Sequence, residues 1–282
     1  MIKDDVILIV GLGLIGGSYA MGLSQKGFTV HGIDINPESI AYGKKIGIIK
    51  NDKDIDSLIK ESTLIILCLY PQDNINWIKH NKHLFNEKAV ITDVTGVKAK
   101  LVNEINELLD NNEFVGSHPM AGRELSGVKN ADEKIFKGAN FLITPTLTNS
   151  NEAINKVKAL GEILEFGNIE IITPEFHDEM IGFLSQLTHV VAVGLMNSHD
   201  SEELIRYTGD SFRDLTRIAK INENLWPELF FANKDVLVKN IDSFVTEMNL
   251  MKEMIQTNNL NGLKDKMIES TNRRKAFDKK QK

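Results

Sequence analysis

Val6-Ile7-Leu8-Ile9-Val10-Gly11-Leu12-Gly13-Leu14-Ile15-Gly16, followed after a helical stretch by Thr29-Val30-His31-Gly32-Ile33-Asp34, is the passage that decides the fold. A short apolar run entering a glycine turn and leaving in a helix is the start of a βαβ unit. Gly11 permits the tight turn off the strand, Gly13 lets backbone approach a pyrophosphate, and Gly16 lets the helix pack closely. The helix opening at about Leu14 aims unpaired N–H groups and its positive dipole end at phosphate. Asp34 stands 23 residues beyond Gly11, near the ~20 expected of an acid that hydrogen-bonds a ribose 2′-OH. A carboxylate there repels a 2′-phosphate, which favours NAD over NADP. Gly11, Leu12, Gly13, Leu14, Ile15, Gly16 and Asp34 are therefore the expected cofactor contacts.

Working outward, the first half alternates strand-like and helix-like segments. Pro37 to Ile46 reads as a helix with Asn36 as its cap. Thr63–Leu69 and Ala89–Thr92 are continuous apolar runs of the kind buried on both faces of a parallel sheet. Asp93 follows the second, and a helical pattern then runs through Leu109. Further strands are expected at 114–116, ending at Ser117-His118-Pro119, and at 140–144 and 169–173. This order implies α/β architecture, a Rossmann-type, mostly parallel sheet with right-handed crossovers. Ligands of such sheets lie beyond the carboxyl ends of the strands. That rule gathers Asp34, Leu69-Tyr70-Pro71, Asp93-Val94-Thr95-Gly96 and His118 into one neighbourhood. Leu69 and Tyr70 join the expected cofactor contacts.

From Glu175 onward the pattern is helical to the end. Leu237, Ile241, Phe244, Met248, Met251 and Ile255 are spaced 4, 3, 4, 3 and 4, an a/d seam that serves as core or subunit interface. The expected division is a dinucleotide-binding domain over 1–174 and a helical substrate-binding and dimerisation domain over 175–282, the chain pairing as a homodimer.

With 282 residues, 42% hydrophobic and 26% charged, the composition is that of a globular enzyme-sized chain. A net charge of −6 gives no long-range reason to expect nucleic acid or an acidic membrane as partner. The single Cys68 cannot form an internal disulfide, which fits a reducing cytoplasm. The five-residue apolar run behind Asp4 and Asp5 is not a signal peptide, and no stretch is expected to approach the ~18 apolar residues of a membrane span. No metal is expected.

Among seven histidines, His118 ends a strand, is followed by Pro119, and opens Met120-Ala121-Gly122-Arg123-Glu124-Leu125-Ser126-Gly127. A histidine at the rim of a nicotinamide site suits removal of a hydroxyl proton as hydride leaves, with a rate rising through one ionisation in the histidine range. The bland alternative is a strand-end cap. His31, His80, His83 and His199 read as structural or surface residues. His177-Asp178 reads as N-terminal helix polarity rather than as a catalytic pair. Ser185 and His189, four apart on one helix, share a face. Three of six arginines, Arg206, Arg213 and Arg217, fall within twelve residues, the last two at helical i,i+4 spacing. Such an arginine grips a carboxylate through two parallel hydrogen bonds, and pairing with Asp210 or Asp214 is the alternative. Trp226, nine residues after Arg217, walls an apolar pocket or belongs to the core.

GLGLIGGS at Gly11, SHPMAGRELSGV at Ser117 and SFRDLTRIAKINENLWPELFFANKDVL at Ser211 together closely resemble the prephenate/arogenate dehydrogenase family. The resemblance runs over nearly the whole chain. It implies a Rossmann domain, a helical dimerisation domain, and NAD-dependent oxidative decarboxylation of prephenate to 4-hydroxyphenylpyruvate in tyrosine biosynthesis. By motif, the family's catalytic histidine falls on His118 and its carboxylate-binding arginine on Arg217. Its further site residues fall on His189 and Glu124, with Arg213 and Trp226 nearby. Two departures stand out. The usual Gly-Ser-x-Lys reads Thr95-Gly96-Val97-Lys98, so the serine that orients histidine and substrate is missing, with Thr95 as the neighbouring substitute. The usual His-Leu-Pro-His reads Gln186-Leu187-Thr188-His189. Alternatives are an arogenate dehydrogenase, a β-hydroxyacid dehydrogenase, for which Lys98 comes too early in the chain, and an NAD-sensing binding protein without chemistry. A sensor has no use for His118 and Arg217.

Overall fold

The computed structural model describes residues 4–122, 125–200 and 203–279. The chain forms two compact units, Met1–Asn233 and Lys234–Lys282.

The first unit is built on β1 (Val6–Val10), β2 (Thr29–Ile33), β3 (Leu64–Leu67), β4 (Val90–Asp93) and β5 (Glu113–Phe114), all parallel in the order β2-β1-β3-β4-β5. Alternate residues of the inner strands face opposite sides. Ile7, Ile9, Leu64 and Ile66 pack in one apolar cluster and Leu8, Val10, Ile65 and Leu67 in the other. Burial on both faces explains why these strands read as unbroken apolar runs. Four helices lie among them: α1 (Leu14–Gln25), α2 (Pro37–Lys45), α3 (Ile55–Glu61) and α4 (Pro71–Asn81). Asn36 caps α2 as expected, its side chain accepting from Glu38 N. The register aligns Ile33, Val10, Leu67 and Asp93 at the carboxyl end of the sheet.

After α5 (Ala99–Leu108) the chain enters β5, crosses Val115, and continues as β6 (Gly116–Pro119) in a second sheet with β7 (Asn140–Thr144) and β8 (Asn168–Ile171). Val115 N still donates to Ile91 O at 2.9 Å, so the strand leaves the first sheet at Gly116. β6 runs antiparallel to β7, with His118 opposite Leu142. The expectation of a mostly parallel sheet holds for the first sheet, and this pair is the local exception. α6 (Asn151–Ile163) joins β7 to β8, which are parallel.

The helical part begins with α7 (Pro174–Ile181), a π-helical stretch at Gly182–Leu187 and α8 (Thr188–Asn197). π-bulges of this kind concentrate at functional sites. By length and composition this 24-residue segment could cross a membrane, its 18-residue window having a mean hydropathy of 1.4. That corrects the expectation that no such stretch exists. Its polar residues His177, Asp178 and Gln186 are buried in hydrogen bonds within the first unit. Three short helices follow, α9 (Leu204–Tyr207), α10 (Asp210–Thr216) and α11 (Leu225–Ala232). The second unit holds α12 (Lys234–Gln256) and α13 (Leu260–Lys279), bridged by Lys266 Nζ to Glu247 at 2.9 Å. Phe244, Met248 and Ile255 of the a/d seam are exposed on α12.

Candidate active site at the carboxyl end of the sheet

The glycine turn has the shape the sequence demands. Gly11 adopts φ +96°, and a Cβ there would strike Cys68 O at 2.7 Å. A Cβ on Gly16 would lie 1.9 Å from Gly11 O, so the first turn of α1 closes directly over the loop. A Cβ on Gly13 would meet no protein atom within 4 Å, leaving that face of the turn open to a ligand. Leu12 N donates to Asp34 Oδ2 at 2.7 Å, and Asn36 N donates to Asp34 Oδ1 at 2.8 Å. This cradle fits a dinucleotide: an open glycine at a helix N-terminus for pyrophosphate and a carboxylate at the end of β2 for a ribose hydroxyl. Leu69 and Tyr70 follow β3, and Tyr70 Oη accepts from Asn222 Nδ2 at 3.0 Å.

Asp93 organises the next strand end. Its Oδ1 accepts from Ser117 N at 3.0 Å, which fastens β6 to β4 one residue before His118. Its Oδ2 accepts from Thr95 N at 2.9 Å, from the Thr95 hydroxyl, and from Lys98 Nζ at 2.5 Å. Lys98 and Asp93 are both wholly buried. Burial pushes the Lys98 ammonium below its usual range, and the Asp93 carboxylate opposes that shift. The Thr95 hydroxyl, the neighbouring substitute for the missing serine, bonds to Asp93 and Lys98. Gly96 lies on His118 itself: a Cβ there would be 3.8 Å from Cε1 and 3.9 Å from Nε2.

The far side of His118 is closed. Its Nδ1 lies 2.9 Å from His177 Nε2, and His177 Nδ1 lies 2.8 Å from Asp178 Oδ1. Asp178 also accepts from Lys98 N and Ala99 N, both at 2.8 Å, at the start of α5. His118 is half-buried. Burial first, then His177 and Lys98, hold it well below the ordinary histidine range. His177 is lowered by burial against the opposing bond from Asp178. Sequence reading set His177-Asp178 aside as helix polarity, and the structure instead brings the pair against His118. It also missed Lys98 and Leu229, whose Cδ1 would lie 3.7 Å from a Gly96 Cβ. The only local signal was the Lys98 of the family's Gly-Ser-x-Lys segment.

Other sequence candidates fall in the helical part. His189 stacks on Trp226 with ring centroids 3.7 Å apart, and its Nδ1 donates to Ser185 O at 2.8 Å. Gln186, where the family carries a histidine, is buried, donating to Leu229 O at 2.9 Å and accepting from Asn233 Nδ2 at 2.8 Å. Arg213 lies on α10, which ends at Thr216, and Arg217 begins a 3₁₀ turn. Arg213 pairs with Asp210 at 4.0 Å and lines a cleft of about 660 Å³ with Val193, Met196, Ile205 and Phe212. His118 does not line that cleft. Arg217 is exposed. Glu124 lies outside the described residues. His31 is buried on β2, where its Nδ1 accepts from Asn51 N at 3.2 Å, a structural role. Among the described residues no cluster of metal-ligating side chains occurs.

Comparison with known proteins follows this geometry. A family model described as "Prephenate dehydrogenase, nucleotide-binding domain" matches residues 19–166, and one described as "Prephenate dehydrogenase, dimerization domain" matches residues 173–269. A prephenate dehydrogenase of Bacillus subtilis is 32% identical over 262 residues, 89% of this chain and 70% of the relative. A cyclohexadienyl dehydrogenase of Zymomonas mobilis is 26% identical over 280 residues, 96% of this chain and 95% of the relative. The crystal structure of prephenate dehydrogenase from Aquifex aeolicus in complex with hydroxyphenyl propionate and NAD+ superposes with a TM-score of 0.89. Its sequence is 31% identical, with 98% of this chain and 99% of that chain covered.

The buried Lys98–Asp93 pair yields a stability prediction. Lys98→Met leaves the Asp93 carboxylate buried without its cation and should cost about 3–5 kcal/mol in urea unfolding. Pairing it with Asp93→Asn should recover part of that loss. A cost below about 1 kcal/mol for the single change would mean the pair does not hold the strand ends together.

Proposed function

Because the chain belongs to the prephenate dehydrogenase family, we propose that it catalyses the NAD-dependent oxidative decarboxylation of prephenate to 4-hydroxyphenylpyruvate. The single observation that carries the choice of base is the ring of His118, with Nδ1 occupied by His177 and Nε2 turned toward the Gly96 loop. Prephenate is a cyclohexadiene with a C4 hydroxyl, a ring carboxylate and a pyruvyl side chain. When bound, NAD accepts the hydride from C4. His118 Nε2 takes the hydroxyl proton, and departure of the ring carboxylate as CO2 leaves an aromatic ring, so the overall step is strongly downhill. The protein's task is alignment and a placed base, worth up to ~7–11 kcal/mol and about 10²–10⁴-fold respectively.

Gly11, Gly13, Gly16 and the N-terminus of α1 would hold the pyrophosphate, and Asp34 the ribose 2′-OH, so NAD is preferred to NADP. Arg217 is assigned to a substrate carboxylate, with His189, Trp226 and Glu124 as further contacts. Arogenate, in which an amino group replaces the side-chain keto group, is the second substrate to weigh, since a cyclohexadienyl dehydrogenase stands among the relatives. The dimerization domain in the second family match and the exposed apolar positions of α12 support a homodimer.

Three measurements test this reading. Formation of NADH on addition of prephenate, compared with arogenate, should show the larger kcat/KM for prephenate. Preference for arogenate would move the assignment, and no turnover of either would sink it. His118→Asn should lower kcat by about 10²-fold or more with NAD affinity retained, because asparagine cannot accept the proton. Since the base works only when deprotonated and its site disfavours the charged ring, the rate should fall only on the acid side of ~6.5. That corrects the expectation of an ionisation within the ordinary histidine range. Near-normal turnover in His118→Asn would remove it from the base role.

Arg217→Ala should chiefly raise KM for prephenate, since the contact is made in ground and transition states alike. The loss should amount to roughly 2–5 kcal/mol. Lysine should restore only part, keeping the charge without the fork. Arg213→Ala is the control and should matter less. The reverse ranking would mean that the motif assigns the wrong arginine.

A further inference from the structure

We infer that Asp178 and His177 are positioning residues that keep the proton of His118 on Nδ1, so that Nε2 presents its lone pair to the substrate side. This inference rests on the reading of His118 as the base.

Donor accounting along the buried chain carries it. An ionised carboxylate only accepts hydrogen bonds. Asp178 takes three: from Lys98 N and His177 Nδ1 on Oδ1, and from Ala99 N on Oδ2, each at 2.8 Å. His177 Nδ1 must therefore carry hydrogen. In the neutral ring its Nε2 is then an acceptor, and His118 Nδ1 lies 2.9 Å from it. His118 Nδ1 must in turn carry hydrogen, and its Nε2, beside Gly96, is left as the acceptor. One carboxylate thus sets the direction of two imidazoles.

The arrangement fails if His177 becomes charged. Its Nε2 would then donate, His118 Nδ1 would have to accept, and the proton of a neutral His118 would move to Nε2, where it blocks the base. The charged groups around His177 are Asp178, Lys98 and Asp93. Asp178 and Asp93 favour the cation, whereas Lys98 and burial oppose it, and the balance falls on the neutral side. Lys98 thereby contributes beyond its bond to Asp93. During turnover the substrate's hydroxyl proton forms a new bond to His118 Nε2 as its bond to oxygen breaks. The resulting imidazolium keeps its Nδ1–H directed at His177, whose other nitrogen is bonded to the Asp178 carboxylate. The positive charge stays on the His118 ring, stabilised through the polarised His177 by the Asp178 carboxylate, with no further transfer required.

Asp178→Asn is the test. The α5 amides donate to different oxygens of Asp178, so the NH2 of asparagine must face one of them; where it takes the place of Oδ1 it also faces His177 Nδ1, which must then accept. The order of donors reverses and the His118 proton is driven to Nε2. In serine proteases the corresponding change in an Asp–His pair costs about 10⁴-fold, and here kcat should fall by at least about 10²-fold. KM and NAD affinity should stay within about threefold, since no substrate contact is removed. ¹⁵N NMR of the histidine rings should show the His118 hydrogen moving from Nδ1 to Nε2. His177→Phe keeps an aromatic ring without an acceptor, and should leave both tautomers of His118 populated even if Asp178→Asn does not fold. Unchanged kcat and an unmoved ring hydrogen in these variants would overturn the inference while leaving His118 as base. A tautomer switch without loss of kcat would sustain the inference and overturn the base reading.

Discussion

A lysine and an aspartate buried without access to water, Lys98 and Asp93, are the constraint on which the remainder of the site depends. An isolated charge at that depth is too costly to persist. The pair therefore fixes everything that must stay in place around it. Asp93 ends β4, holds the Thr95 loop, and captures Ser117 N at the point where the chain leaves one sheet for the other. His118 is the next residue. Lys98 opens α5, and its own main-chain amide belongs to the Asp178 carboxylate. The cofactor-side strand end and the helical side of the site are thus tied through six residues.

The same arrangement sets the electrostatics. A histidine that must accept a proton from a weakly acidic hydroxyl needs to be neutral when substrate arrives. Enclosure of His118 and the nearby Lys98 cation both penalise the charged ring. The His177–Asp178 pair lies in a hydrogen-bonded line behind the His118 ring.

Local chemistry was legible in the sequence. The apolar runs of β1, β3 and β4 show because both faces of each strand are buried, and Gly11, Gly16 and Asp34 show because the turn admits no other geometry. His118, His189 and Trp226 are named by motif, and His189 stacks on Trp226. What stayed hidden depends on contacts between distant residues. His118 and His177 are 59 positions apart, and Lys98 and Asp178 are 80 apart. No periodicity reports such pairs. A histidine followed by an acid at the start of a helix looks like ordinary capping until the tertiary fold sets it against a second histidine.

Titration of the His118 ring in the wild-type protein, followed by ¹⁵N NMR without substrate, tests the central claim most directly. The account requires a neutral ring with hydrogen on Nδ1 throughout the neutral range, and protonation only well below the ~6.5 of an ordinary histidine. A ring that carries its hydrogen on Nε2, or that titrates at the ordinary value, would contradict it.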